Sequence, residues 1–120
     1  MIEIEIDEAY AYDYLSILAL KGVVFPSDQN DKNLFKCVKK VQVQVGLKKH
    51  GEIVLSKEYM DLTKANENIL HAIEVIRGHR KTGETFSAKD VDDMNLTRYY
   101  SKQRLQEKFF PGTCVTETKS

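Results

Sequence analysis

The sequence predicts a mainly α-helical protein, with about four helices in a compact bundle and one short N-terminal β-strand. Apolar residues recur at helical spacing through most of the 120 residues, and Ser, Asp and Gly stand where such segments would begin or end. The composition, 42% hydrophobic and 30% charged, is that of an ordinary globular domain. We therefore expect a single domain over residues 1–112, followed by a polar, flexible tail at 113–120.

The N-terminus carries the pattern of a half-buried strand. Ile2, Ile4 and Ile6 alternate with Glu3 and Glu5, so the isoleucines share one face of an extended chain. A lone strand leaves its backbone N–H and C=O groups unpaired, and the rest of the sequence offers no second strand in this interpretation. The pattern therefore favours pairing with the same segment of a second copy.

A first helix is predicted over residues 8–21. Asp7 is expected to cap its N-terminus, and Gly22 is expected to end it. Apolar residues lie on most sides of this segment, which predicts a central and largely buried helix. These residues are Tyr10, Tyr14, Leu15, Ile17, Leu18 and Leu20.

The next segment allows two interpretations. As a helix capped by Asp31, it groups the apolar residues of 34–45 on one face and most of its lysines on the other. As a hairpin, residues 41–47 would pair with 52–56 around a turn at 48–51. We prefer the helix because it accounts for Leu34 to Val45 as one unit, and β-branched residues cost a helix little.

A third helix is predicted to begin after Ser56 and to run to about Arg77, with Gly78 ending it. Its periodic apolar residues predict one core-facing stripe. The stripe consists of Leu62, Ala65, Ile69, Ala72, Ile73 and Ile76.

A fourth helix is predicted from the capping box of Ser87 and Asp90 to about Phe110. Two of its faces carry apolar side chains, and such a helix buries one against its own domain and one against a partner. The first face holds Val91, Met94, Arg98, Ser101, Leu105 and Phe109, and the second holds Leu96, Tyr99, Tyr100, Gln103 and Phe110. The alternative is a helix that breaks near Asn95, so that each half has one apolar face.

The simplest partner for a chain of this size is a second copy, so the sequence predicts a homodimer. Its interface candidates are the strand and the outer face of the last helix, namely Ile2, Ile4, Ile6, Leu96, Tyr99, Tyr100 and Phe110. Another protein is the alternative partner for these surfaces.

The total charge is balanced, with 18 basic and 18 acidic residues, but its distribution is uneven. Residues 1–31 hold seven acidic residues and one lysine, a net charge of −6, and the remaining 89 residues carry the compensating +6. Opposite ends of such a domain attract each other within one copy or between two copies. The alternative is that both ends are solvated surfaces.

A cluster of basic residues is the candidate for binding nucleic acid, because phosphate contacts need only such charges on one surface. The cluster comprises Lys39, Lys40, Lys48, Lys49, Arg77, Arg80 and Lys81. Tyr99, Tyr100 and Gln103 are the candidates for base contacts. The sequence has no helix-turn-helix or RNA-recognition signature, and its neutral total argues against a dedicated nucleic-acid protein.

Glu67, His71 and Glu74 share one helical face at a spacing that suits a divalent metal. Asn68 stands where a Glu-x-x-His metal motif has its glutamate, so we interpret this face as polar and solvated. We find no Gly-rich phosphate loop, GxSxG, HExxH or CxxC motif, and we expect neither an enzyme nor a cofactor. A metal-dependent enzyme is the last alternative.

Residues 56–110 resemble part of a family of small proteins from tailed marine phages. The matching features are Glu58-Tyr59, Leu62, Asn66, Val91-Asp92, Asn95, Arg98, Lys102, Leu105-Gln106 and Phe109-Phe110. The resemblance covers about half of the chain and implies a helical fold in a host cytoplasm, without an assigned activity.

The sequence also lacks an apolar run near the ~20 residues of a membrane span. We therefore expect a non-enzymatic, cytoplasmic helical interaction protein that self-associates.

Overall fold

The computed structural model describes residues 7–111, and 81% of them are helical. The helices are α1 (Glu8–Val24), α2 (Asp28–Val45), α3 (Leu47–Val54), α4 (Lys57–Ile76) and α5 (Ala88–Phe109). The mainly helical fold is confirmed, but the described part of the chain has five helices instead of about four, and no strand. The predicted strand at Ile2–Ile6 and the predicted tail at 113–120 lie outside the described residues.

The first helix begins where predicted but continues past its predicted end. Gly22 lies inside α1 instead of ending it, and a Cβ at this position would approach Asp31 of α2 at 4.0 Å. This is an ordinary contact, so packing does not require glycine here, and Gly22 costs α1 about 1 kcal/mol relative to alanine. The expected burial holds for Leu15 and Leu18, whereas Tyr10 and Tyr14 are 45% and 53% exposed.

The helical interpretation of residues 34–45 is confirmed, and the alternative hairpin does not form. The helix begins four residues earlier than predicted, because the hydroxyl of Ser27, not Asp31, accepts the capping hydrogen bond from the Asn30 N–H at 3.0 Å. Ser27 is therefore the N-cap of α2, and Asp31 lies within its first turn.

The sequence analysis missed α3 as a separate helix. Gly46 ends α2 with a φ of 97°, a backbone conformation that favours glycine, and the chain turns there into a new helix of eight residues. The chain changes direction at Gly46, and His50 and Ile53 of α3 are buried. The residues assigned to the hairpin alternative, 48–51 and 52–54, are thus helical.

Both predicted starts of the last two helices are confirmed. Ser56 caps α4 by accepting from the Tyr59 N–H at 3.1 Å, and α4 ends at Ile76 just before Gly78. The capping box of α5 forms in both directions between Ser87 and Asp90, with distances of 2.8 and 3.1 Å. Local capping chemistry therefore fixes these boundaries.

The core lies where α1 packs against α2, α4 and α5. Its buried cluster consists of Ala9, Tyr12, Leu15, Val41, Ile53, Leu62 and Leu105. The predicted stripe of α4 contributes Leu62, Ala65 and Ala72, whereas Ile76 at its end is 56% exposed. Across residues 7–111, no helix is both long and apolar enough to cross a membrane.

Candidate functional site

An open cleft of about 820 Å³ lies between α1 and α2, with α3 and the residue after α5 at one end. Its apolar lining comes from Ala11 on α1, Val41 and Val45 on α2, and Phe110. The volume falls in the range of ligand and peptide sites, roughly 300–1,000 Å³. The helix α2 contacts α1 and α3, but Val41 is the one residue of α2 that is buried. The rest of its inner face therefore borders the open cleft.

Tyr12, which lines the cleft, pairs with the buried His50 of α3. The Tyr12 hydroxyl and His50 Nδ1 share a hydrogen bond of 2.9 Å, and the two rings stack with centroids 5.7 Å apart. Tyr59 lies edge-on to Tyr12 at 6.1 Å. Burial, and to a smaller extent Tyr59, raises the pKa of Tyr12 to about 12, so its phenol stays protonated at neutral pH.

Burial also lowers the pKa of His50 below its ordinary value, because the packed helices disfavour its charged form. The unfolded chain therefore takes up a proton at this histidine at higher pH than the folded chain does. The contribution of neutral His50 to the free energy of unfolding is fully present above the pKa of the unfolded chain, about 6.5. It is lost as the pH falls through the pKa of the folded chain.

We therefore expect the free energy of unfolding to fall more steeply between about pH 7 and pH 5 in the wild-type protein than in His50→Gln, whose side chain does not titrate. Urea denaturation at several pH values measures this difference. Equal losses in both proteins would show that His50 is as easily protonated in the folded state as in the unfolded state.

Lysines line the α2 side of the cleft. Lys36 and Lys40 are one helical turn apart, and the ammonium of Lys49 on α3 lies 4.3 Å from the ring centroid of Phe110. The beginning of α1 places Asp7 and Glu8 at one end of the cleft. The lining is therefore cationic along α2, with carboxylates confined to the start of α1.

The end of α5 holds the start of α1 in place. The side chain of Gln106, which is 1% exposed, accepts from the Ala9 N–H at 2.8 Å and donates to Glu8 Oε2 at 2.7 Å. Asp7 is the N-cap of α1 but makes no side-chain cap hydrogen bond. Gln106, 97 residues from Ala9 along the chain, instead accepts from an N–H of the first turn.

A buried polar network joins α1, α4 and α5. The carboxylate of Asp13, which is 2% exposed, accepts from Asn66 Nδ2 at 2.7 Å and from Arg98 Nε at 3.0 and 3.2 Å. Arg98 Nη2 donates a further bond to it, and the ammonium of Lys102 lies 3.6 Å from Asp13 Oδ2. Asn66 also donates to the hydroxyl of Ser16 at 2.7 Å.

Both oxygens of Asp13 are held by these donors, so the carboxylate positions helices instead of acting on a ligand. The sequence analysis missed this role because the partners are 53 and 85 residues apart along the chain. The available signal was a single acidic residue in the otherwise apolar stretch of α1.

The structure divides the predicted nucleic-acid residues into two groups. Lys39 and Lys40 lie on α2 and Lys48 and Lys49 on α3, whereas Arg77, Arg80 and Lys81 follow the end of α4. The two groups therefore stand on opposite sides of α4 along the chain. Lys40 and Lys49 line the cleft, while Lys39 lies over the ring of Phe35 at 4.7 Å.

The face that carries Glu67, His71 and Glu74 does not converge on one point. Glu67 pairs with Lys64 at 3.6 Å, and His71 bonds Glu84 at 2.9 Å. Glu74 was expected on a solvated face, but it is 6% exposed because the segment after α4 folds back and places His79 2.7 Å from it. Between Asp7 and Pro111, no group of three side chains is placed to hold a metal ion.

The predicted interface residues of α5 are partly accessible. Leu96, Tyr99 and Phe110 are half-buried, and Tyr100 is 39% exposed, with its ring edge-on to Tyr99 at 5.5 Å. The α1 side adds Tyr10, whose ring centroid lies 5.4 Å from the Lys102 ammonium. The remaining candidates, Ile2, Ile4 and Ile6, lie outside the described residues.

We compared the chain with protein-family models, curated proteins and solved structures, and none of them matches it.

Proposed function

We propose that this protein is a non-enzymatic helical interaction module that self-associates as a homodimer. One observation carries the proposal: α1 and α5 present exposed or half-buried tyrosines on neighbouring helices. We call Tyr10, Tyr99 and Tyr100 the tyrosine surface, whereas Tyr14 lines the cleft between α1 and α2. Tyrosine is enriched at protein interfaces because its ring buries apolar area while its hydroxyl retains a polar contact.

The buried contacts beneath the tyrosine surface support this proposal. Asp13 binds Arg98, and Ala9 binds Gln106, so α1 and α5 are fixed to each other along their length. A rigid scaffold of this kind lowers the entropic cost of ordering an interface. A twofold axis across the surface would also bring Leu96 and Phe110 into the contact, together with the N-terminal isoleucines.

A substitution at the tyrosine surface tests the proposal. We expect the wild-type mass to rise from 13.8 kDa toward twice that value with increasing concentration, and we expect Tyr100→Glu to stay monomeric with an unchanged helical spectrum. Light scattering and circular dichroism measure both. The matched control is Met60→Glu on α4, which adds the same charge at a residue that is 59% exposed.

Two results would contradict the proposal. A wild-type protein that remains at 13.8 kDa at the highest concentration has no self-association to explain. A Tyr100→Glu variant that associates as tightly as Met60→Glu places the interface elsewhere.

Nucleic acid is the second candidate partner, and the lysines of α2 and α3 favour it. Binding to DNA or RNA should then weaken steeply with salt and be lost when Lys39, Lys40, Arg80 and Lys81 are neutralised. We rank this candidate second because its basic residues stand on two parts of the chain, before and after α4. For the setting we propose a host cytoplasm, as the resemblance to phage proteins implies.

A further inference from the structure

We propose that the cleft between α1 and α2 binds the acidic N-terminal segment, residues 1–6, of a second copy of the chain. The inference rests on the proposed self-association and names a contact that would act together with the tyrosine surface. Each copy would place its segment in the cleft of the other, so that one twofold axis relates two identical contacts.

The first argument is the incomplete covering of α2. This helix has 18 residues, but Val41 is its one buried residue, and Cys37 and Val45 remain half-buried along the cleft. An amphipathic helix is stabilised by burying its apolar face, and here part of that face borders an open cleft. Apolar side chains from another segment would complete the burial.

The extended length of residues 1–6 suits the cleft. The α2 residues that line the cleft run from Asn33 to Val45, which corresponds to about 18 Å at the helical rise. Six extended residues span about 20 Å. Residues 1–6 are therefore long enough, when extended, to run along the cleft.

The third argument is the alternating pattern of the segment. In an extended chain Ile2, Ile4 and Ile6 share one face, and Glu3 and Glu5 share the other. The cleft offers a matching pair of surfaces, because its apolar lining runs beside Lys36 and Lys40. The isoleucines would contact the apolar lining while the glutamates pair with these lysines.

Charge also sets the direction of the segment. Asp7 and Glu8 occupy the end of the cleft at the start of α1, where they repel incoming glutamates. Lys36 and Lys40 supply positive charge on the α2 side of the same cleft. Attraction between the glutamates of the segment and these lysines would give the uneven charge distribution, −6 in residues 1–31 and +6 in the rest, a role in association between copies.

The backbone before α1 favours a second copy over the same copy. Residues 1–6 join the helix at Asp7, whose φ of −65° and ψ of 148° are extended. Entry into its own cleft would require the chain to reverse at this point, and residues 1–21 contain neither glycine nor proline.

Charge reversal separates these possibilities. The cleft variant is Lys36→Glu with Lys40→Glu, and the segment variant is Glu3→Lys with Glu5→Lys. We expect each variant alone to dimerise about tenfold more weakly than the wild type or worse. An equimolar mixture of the two is expected to recover wild-type association, because both contacts of the mixed dimer pair opposite charges.

The matched control is Lys32→Glu with Lys39→Glu, which makes the same charge change at exposed residues of α2 outside the cleft lining. Sedimentation equilibrium at about 0.05 M and about 0.5 M salt gives the association constants, and the salt should weaken the wild-type dimer. The control should associate like the wild type at both salt concentrations.

The outcomes separate the two proposals. A wild-type protein that stays monomeric overturns both the homodimer and this inference. A wild-type dimer whose cleft variant associates like the control overturns this inference and leaves the homodimer standing. Weak variants that do not associate with each other when mixed also overturn it, because an exchange between copies requires that recovery.

Discussion

Replacing Asp13 with alanine should lower the free energy of unfolding by about 3 kcal/mol or more. The substitution removes the acceptor of Arg98 and of Asn66 from a site that is 2% exposed. Removing one member of a buried, hydrogen-bonded ion pair is costly because the other polar groups lose their partner while staying away from water. Urea denaturation followed by circular dichroism measures the loss.

The expected loss lies at the lower end of the range for buried pairs. The Arg98 side chain is 28% exposed, so its guanidinium can recover part of its hydration once the carboxylate is gone. Asn66 is 5% exposed and keeps a second acceptor in the Ser16 hydroxyl. Both features reduce the penalty without removing it.

The matched control is Asp93→Ala, an acidic residue on the exposed side of α5, which should change stability by less than about 0.5 kcal/mol. Asp13→Asn is a second control, since it keeps the shape and removes the charge. The interpretation of Asp13 as the link between three helices would be wrong if Asp13→Ala were as stable as Asp93→Ala.

Local chemistry explains which elements the sequence predicted. Ser56, Ser87 and Asp90 make their capping bonds within three residues, so short-range pattern alone identifies them. Short-range pattern does not distinguish the roles of Gly46 and Gly22. Both are glycines at the edge of an apolar pattern, yet Gly46 has a positive φ and ends a helix, whereas Gly22 lies within α1.

The candidate site could be predicted only in part for the same reason. The sequence showed that Lys40 and Lys49 are basic, but not that they face α1 across a cleft. The Asp13 network depends on residues 53 and 85 positions away, and no local pattern encodes such pairs. The buried Glu74 was misplaced because its exposure depends on how the segment after α4 folds back.

The second large effect is expected in the apolar core. Leu105 is completely buried where α5 packs on the cluster that contains Leu62 and Tyr12. Truncation to alanine removes three carbon atoms and leaves a cavity that the surrounding helices fill only in part. We expect Leu105→Ala to lower the free energy of unfolding by about 2–5 kcal/mol.

Leu55→Ala is the matched control, because the same atoms are removed at a residue that is 82% exposed, and we expect a change of less than about 0.5 kcal/mol. Urea denaturation of both variants gives the difference, and an unchanged dependence on denaturant shows that the two unfold as the wild type does. Similar stabilities for the two variants would mean that α5 does not pack against α1 and α4 through Leu105. The contacts of α5 with α1 also hold the tyrosine surface in place, so this measurement tests the scaffold on which the proposed homodimer rests.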